Sequence, residues 1–123
     1  MAQDILSDLL NQIMNAKRAG KTSLIVSRYS KLALQILEFM KQYGYIEVEE
    51  MEGKIKIILK DINACKAIKP RYTVQNKKIE NYTPRFLPAR DFGYIIISTS
   101  QGLMNHKDAQ EKKIGGSLIA YFY

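Results

Sequence analysis

Tyr94-Ile95-Ile96-Ile97-Ser98-Thr99-Ser100-Gln101-Gly102-Leu103-Met104 is the stretch whose reading decides the fold. The β-branched and aromatic run at its start predicts a buried strand. That strand delivers three adjacent hydroxyl side chains, and then a glycine, to its far end. A hydroxyl donates and accepts hydrogen bonds at once, and a glycine permits a tight turn and a close backbone approach. An uncharged surface of this kind suits contact with sugar, phosphate and base edges. The same residues also suit a plain solvated turn.

Downstream, a short helix is expected from about His106 to Lys113, a tight turn at Gly115-Gly116, and a last strand over Ser117 to Phe122. At the other end of the chain, Ile5, Leu6, Leu9, Leu10, Ile13 and Met14 recur at helical spacing between the N-cap candidate Asp4 and the stop at Gly20. Thr22 to Ser27 reads as a short strand. Ser30 can cap a second helix that carries Leu32, Ile36, Leu37, Phe39 and Met40 and stops at Gly44. Tyr45 to Val48 reads as a strand. Lys54 to Leu59 alternates, with Ile55, Ile57 and Leu59 on one side, and Glu52-Gly53 supplies the hairpin turn between them. The order α-β-α-β-β predicts a mixed sheet with helices on one face. From Cys65 to Arg90 the periodicity fades, and Pro70, Pro84 and Pro88 argue for irregular chain. The expected fold is α+β, with an N-terminal lobe over 1–64 packed on a mainly β C-terminal lobe with a short helix over 65–123.

Composition narrows the function. The chain has 123 residues, 46% hydrophobic and 25% charged, enough to bury a core without disulfides. No apolar run approaches the roughly 18 residues of a membrane span, so no membrane partner is expected. Met1-Ala2-Gln3-Asp4 lacks the basic and apolar start of a signal peptide. A single cysteine, Cys65, fits a reducing, cytoplasmic compartment.

Charge is unevenly spread. Residues 1–53 hold six Lys/Arg and seven Asp/Glu, 54–90 hold ten against two, and 91–123 hold three of each. The middle third therefore carries essentially all of the net charge of +7. A local basic patch between balanced segments is the footprint of a polyanion partner. Within it basic and aromatic residues interleave: Lys69, Arg71, Tyr72, Lys77, Lys78, Tyr82 and Arg85. Tyr72 or Tyr82 could stack on an unpaired base. The Pro-interrupted segment offers no recognition helix for a DNA major groove. The hydroxyl-rich loop suits structured RNA instead.

Catalytic constellations are sparse. His106 is the sole histidine, and a nucleophile-base pair with Cys65 would be the one enzymatic reading; a small buried thiol is the ordinary alternative. No Cys/His spacing suits zinc, and Gly115-Gly116 lacks the context of a phosphate-binding loop. No cofactor is expected. The acidic group Glu47, Glu49, Glu50 and Glu52 reads as the solvated edge of a hairpin. The rival to RNA binding is a protein-interaction module whose basic face meets acidic protein.

The motifs also carry a resemblance. Ser98 to Met104, then His106-Lys107-Asp108-Ala109, then Gly115-Gly116-Ser117-Leu118-Ile119-Ala120-Tyr121 are similar to the universal small-subunit ribosomal protein number eight family. Asp4-Ile5-Leu6-Ser7-Asp8 and Asn15 resemble its first helix, and Ser30-Lys31-Leu32 the start of its second. Leu87 to Gly93 and Ile68-Lys69-Pro70-Arg71-Tyr72 look like its archaeal and eukaryotic branch. Arg28-Tyr29 departs from the small residues common before the Ser-Lys pair.

The resemblance implies a structural, non-enzymatic constituent of the small ribosomal subunit. Its partners would be the central domain of small-subunit ribosomal RNA and neighbouring small-subunit proteins, and its task platform assembly. Some relatives also bind their own messenger RNA, which makes that RNA a second candidate partner. On the family pattern, the RNA-binding residues are Asp4, Ser30, Lys31, Ser98, Thr99, Ser100, Gly102 and Asn105. Lys69, Arg71 and Tyr72 join them from the matching loop and from the charge pattern.

Overall fold

The computed structural model describes residues 5–27, 29–68, 73–88 and 92–123. The chain divides into two compact units, Met1–Lys66 and Ala67–Tyr123.

In the first unit, α1 (Ile5–Arg18) and α2 (Lys31–Gln42) flank β1 (Ser23–Val26) in the chain, and β2 (Ile46–Met51) and β3 (Lys54–Leu59) follow as a hairpin. The apolar stripes fall where the helical period puts them: Leu6, Leu9, Leu10, Ile13 and Ala16 of α1 and Ala33, Ile36, Leu37 and Met40 of α2 are all buried. The strand order is β1-β3-β2, and both pairings are antiparallel. The sheet is therefore not mixed, as the α-β-α-β-β order suggested. The α2 crossover leaves β1 and β2 parallel but not adjacent, because β3 folds back into the gap between them, a split β-α-β arrangement. Strict alternation on β3 puts Ile55 and Ile57 in the core with Val26 and Ile46. Glu47 and Glu49 stand on the opposite face of the edge strand β2, Glu49 opposite Lys56.

The second unit is built on a sheet in the order β4-β8-β6-β7, with β5 also pairing β8. Its strands are β4 (Cys65–Ala67, which straddles the unit boundary), β5 (Thr73–Val74), β6 (Tyr94–Thr99), β7 (Gly102–Asn105) and β8 (Gly116–Phe122). Ile95, Ile96 and Ile97 are all fully buried, as a continuous apolar run predicts. Between β6 and β8 the register shifts at Ile96/Ile97: Ala120 faces Ile96 and Leu118 faces Ile97, so Ile119 is the extra residue of a β-bulge. One face of this sheet carries the core of Ile95, Ile97, Met104, Leu118 and Val74, closed by Ile79 of α3 (Ile79–Phe86) and Ala109 of α4 (His106–Glu111).

Helix α3 corrects the expectation of irregular chain over 65–90. Ile79, Thr83 and Phe86 recur at spacings of three and four and turn one side to the core, and that burial outweighs the proline. Pro84 has no N–H to give the carbonyl four residues back. One turn earlier, the Thr83 hydroxyl donates to the Ile79 carbonyl at 3.3 Å.

Candidate nucleic-acid interface

Ser98, Thr99, Ser100 and Gly102 come together in one tight hairpin. Thr99 pairs with Gly102 across a two-residue turn of Ser100 and Gln101. This stretch is thus a strand pair, where the sequence suggested a strand running into a loop. Neither Ser100 nor Gln101 has positive φ, and the twist is taken up by Gly102 at φ +107°. Thr99 works inside the turn. Its Oγ1 accepts from the Gln101 N–H at 3.1 Å and donates to the Gly102 carbonyl at 2.8 Å. Such bonds fix a turn whose central residues have no conformational preference of their own. Ser98 and Ser100 are exposed, so their hydroxyls are the ones presented outward.

Ser98 is not alone on its face. It lies opposite Ser117 of β8, and Ser117 lies opposite Thr73 of β5. The Thr73 and Ser117 hydroxyl oxygens are 3.3 Å apart. Residues directly opposite in antiparallel strands share a face. A row of hydroxyls therefore crosses three strands, on the face away from the core that holds Ile97 and Leu118. Sequence reasoning missed Thr73 and Ser117, because only strand register joins positions this far apart in the chain. Gly116, beside Ser117, is where the two backbones close up: a Cβ there would collide with the Ser98 carbonyl and sit 3.0 Å from Ile97 Cγ2.

The other expected residues fall as follows. Asn105 is buried and caps α4. Its Oδ1 accepts from the Asp108 N–H at 2.7 Å, and its Nδ2 donates to Asp108 Oδ2 at 3.3 Å. It supports the end of the hairpin from below the surface. Ser30, in the first unit, caps α2 by accepting from the Ala33 N–H at 3.1 Å, and Lys31 is exposed beside it in a first turn that has no acidic residue. Asp4, Lys69, Arg71 and Tyr72 lie outside the described residues.

Exposed basic side chains lie in the segments that follow β5 and precede β8 in the chain. Lys77 and Lys78 are exposed in a 3-10 turn that follows β5, and this turn packs beside α4. Lys112 and Lys113 are exposed at the far end of α4, just before Gly116. Tyr82 is not free to stack on a base as the sequence suggested. It packs against the core, and the Arg85 guanidinium lies over its ring at 4.9 Å. Arg85 is the only basic residue on the eight-residue α3, too little charge for a groove-reading helix.

Cys65 and His106 are each committed to structure. The Cys65 thiol is buried, donates to the Leu10 carbonyl at 3.6 Å, and is pushed up to about 12 by burial. A neutral thiol is a poor nucleophile. His106 is buried, and its Nδ1 accepts from the Ile95 N–H at 3.1 Å. Among the described residues no group of three or more His, Cys, Asp or Glu could hold a metal ion.

The sequence model of the family described as Ribosomal protein S8 matches residues 4–123. The chain is 45% identical to the small ribosomal subunit protein uS8 of Picrophilus torridus and 43% identical to that of Thermoplasma acidophilum, in each case over 100% of both chains. It is 41% identical to the uS8 of Neurospora crassa, over 97% of this chain and 96% of the fungal one. With the Ser-Thr-Ser hairpin and the Gly-Gly entry to the last strand in place, the chain belongs to the ribosomal protein S8 family.

Proposed function

We propose that this chain is a non-catalytic constituent of the small ribosomal subunit that binds the central domain of small-subunit ribosomal RNA and helps to assemble the platform. The observation that carries the reading is the hydroxyl row. Ser98, Ser117 and Thr73 share one sheet face, Ser100 extends it at the hairpin tip, and exposed lysines lie in the segments that follow β5 and precede β8 in the chain. Hydroxyls meet ribose 2′-hydroxyls and base edges, where shape decides the fit. Lysines meet phosphates, which supply affinity without sequence information. Thr99, Gly102 and Asn105 act as positioning residues for this surface. Ser30 and Lys31 supply a separate contact from the first unit. Lys69, Arg71 and Tyr72 add charge and a ring in the segment between β4 and β5. Neighbouring small-subunit proteins are further partners, the chain's own messenger RNA a second RNA ligand, and the cytoplasm its place of work.

The test is the double variant Ser98→Ala/Ser100→Ala, titrated with a central-domain ribosomal RNA fragment and with a scrambled RNA of equal length. The expected result is weaker cognate binding, with scrambled binding and the salt dependence unchanged. Equal losses on the two RNAs would contradict the assignment of specificity to the hydroxyls.

A further inference from the structure

We infer that Lys113 is a phosphate-contacting residue of this RNA surface, kept at a backbone position that favours glycine. The inference rests on the RNA-binding reading above and adds a residue to it that the sequence motifs do not mark.

Three helices of the chain end in the same way. After α1, Gly20 N–H bonds the Lys17 carbonyl and Lys21 N–H the Ala16 carbonyl; after α2, Gly44 N–H bonds Lys41 and Tyr45 N–H bonds Met40. After α4, Lys113 N–H bonds the Gln110 carbonyl at 3.1 Å and Ile114 N–H the Ala109 carbonyl at 2.9 Å. This is the paired closing motif whose penultimate residue must turn left-handed. Gly20 adopts φ +77° and Gly44 φ +83° in that place. The third helix uses Lys113 at φ +59°, the only non-glycine residue with positive φ among those described. A side chain there crowds its own backbone, and lysine lacks the short polar group that lets asparagine tolerate the conformation. Local folding therefore argues for glycine at this position, and something else argues for lysine.

Position supplies the reason. Lys113 is exposed, and among the described residues its ammonium forms no ion pair. It stands three residues before Gly116, whose backbone closes on Ser98, and four before Ser117 in the middle of the hydroxyl row. The left-handed residue also sets the direction in which the chain leaves α4 for β8. A lysine there holds a flexible point charge with three donors a few residues along the chain from a neutral surface. A backbone outlier kept against local preference, close in the chain to a binding surface, fits a functional demand.

The test uses the full chain with Lys113→Gly, Lys113→Ala and Lys113→Arg, and the cognate and scrambled RNA fragments. Lys113→Gly is expected to raise Tm by about 3 °C, because the strained turn relaxes. It is also expected to weaken cognate binding about fivefold at about 0.15 M salt and to flatten the slope of log K against log salt by roughly 0.7–0.9, one phosphate contact. Lys113→Ala should show the same slope loss without the gain in Tm, and Lys113→Arg should keep the slope. Unchanged affinity and slope in Lys113→Gly would overturn the inference. Equal losses in the Gly and Arg variants would overturn it too, since backbone geometry and not charge would then be at work. A wild-type chain that does not prefer the cognate RNA would overturn the RNA reading itself, and this inference with it.

Discussion

Gly116 and Gly102 serve the same surface for different physical reasons, and mutation separates them. Gly116 is needed for space, since any Cβ meets the Ser98 backbone. Gly102 is needed for conformation, since its φ is +107° but nothing lies within 4 Å of a Cβ placed there. Gly116→Ala must push two strands apart and should cost about 3 kcal/mol, as overpacking does. Gly102→Ala should cost only about 1 kcal/mol of backbone strain. Urea denaturation of both variants checks the order, and a larger loss for Gly102→Ala would contradict it. Asn105→Ala removes the α4 cap and should cost about 1 kcal/mol, read from the same transitions. Cys65 makes the pH prediction. Its folded-state value of about 12 lies above the ordinary 9.0, so the folded protein keeps a proton that the unfolded chain gives up. Stability from this group is complete below pH 9 and is lost as pH rises from about 9 to about 12. Denaturant titrations of wild type and Cys65→Ala between pH 8 and about pH 11 should converge toward high pH; a constant difference would refute the assignment. At this scale the sequence was legible where chemistry is local. Ser98, Thr99, Ser100 and Gly102 announce themselves by adjacency. Thr73 and Ser117 do not, because their relation to Ser98 is a matter of register across strands.

Elements with a clean period were readable, and those held by tertiary packing were not. The α1 and α2 stripes, the β3 alternation and the β6 run largely coincide with the residues the fold buries; Ile5, Met14, Leu32, Phe39 and Leu59 at their margins are half-buried, and Ala16 and Ala33 join the core. β7 was hidden because it is four residues long and opens with glycine, which local reasoning assigns to a turn. α3 was hidden by Pro84, although Ile79, Thr83 and Phe86 already mark a helical face. That element carries its own prediction. Pro84→Ala lets residue 84 donate to the Glu80 carbonyl and should stabilise the chain by about 1 kcal/mol. The gain stays below the full ~3 kcal/mol of an interior proline, since the unfolded chain also gains freedom. Thermal unfolding would show a higher Tm; a lower one would mean that the proline shapes the end of α3 in a way the core requires.

For the molecule as a whole, composition and charge placement favoured a polyanion partner over an enzymatic reading before any contact was known. The α+β class followed from element order. The antiparallel character of the first sheet did not, because the order of elements along the chain is compatible with β3 at an edge or between β1 and β2. Electrostatics and shape divide the proposed work at this scale. Lys69→Ala or Arg71→Ala should weaken cognate and scrambled RNA alike and flatten the salt slope by roughly 0.7–0.9 for each lost phosphate contact. The hydroxyl variants should leave that slope untouched. The most direct single measurement is a binding titration of the purified wild-type chain with a central-domain small-subunit ribosomal RNA fragment at near-physiological salt, with an equal-length scrambled RNA as competitor. Tight binding that survives the competitor is the predicted result; equal, weak and salt-labile binding to both RNAs would contradict the account and leave a basic protein without RNA specificity.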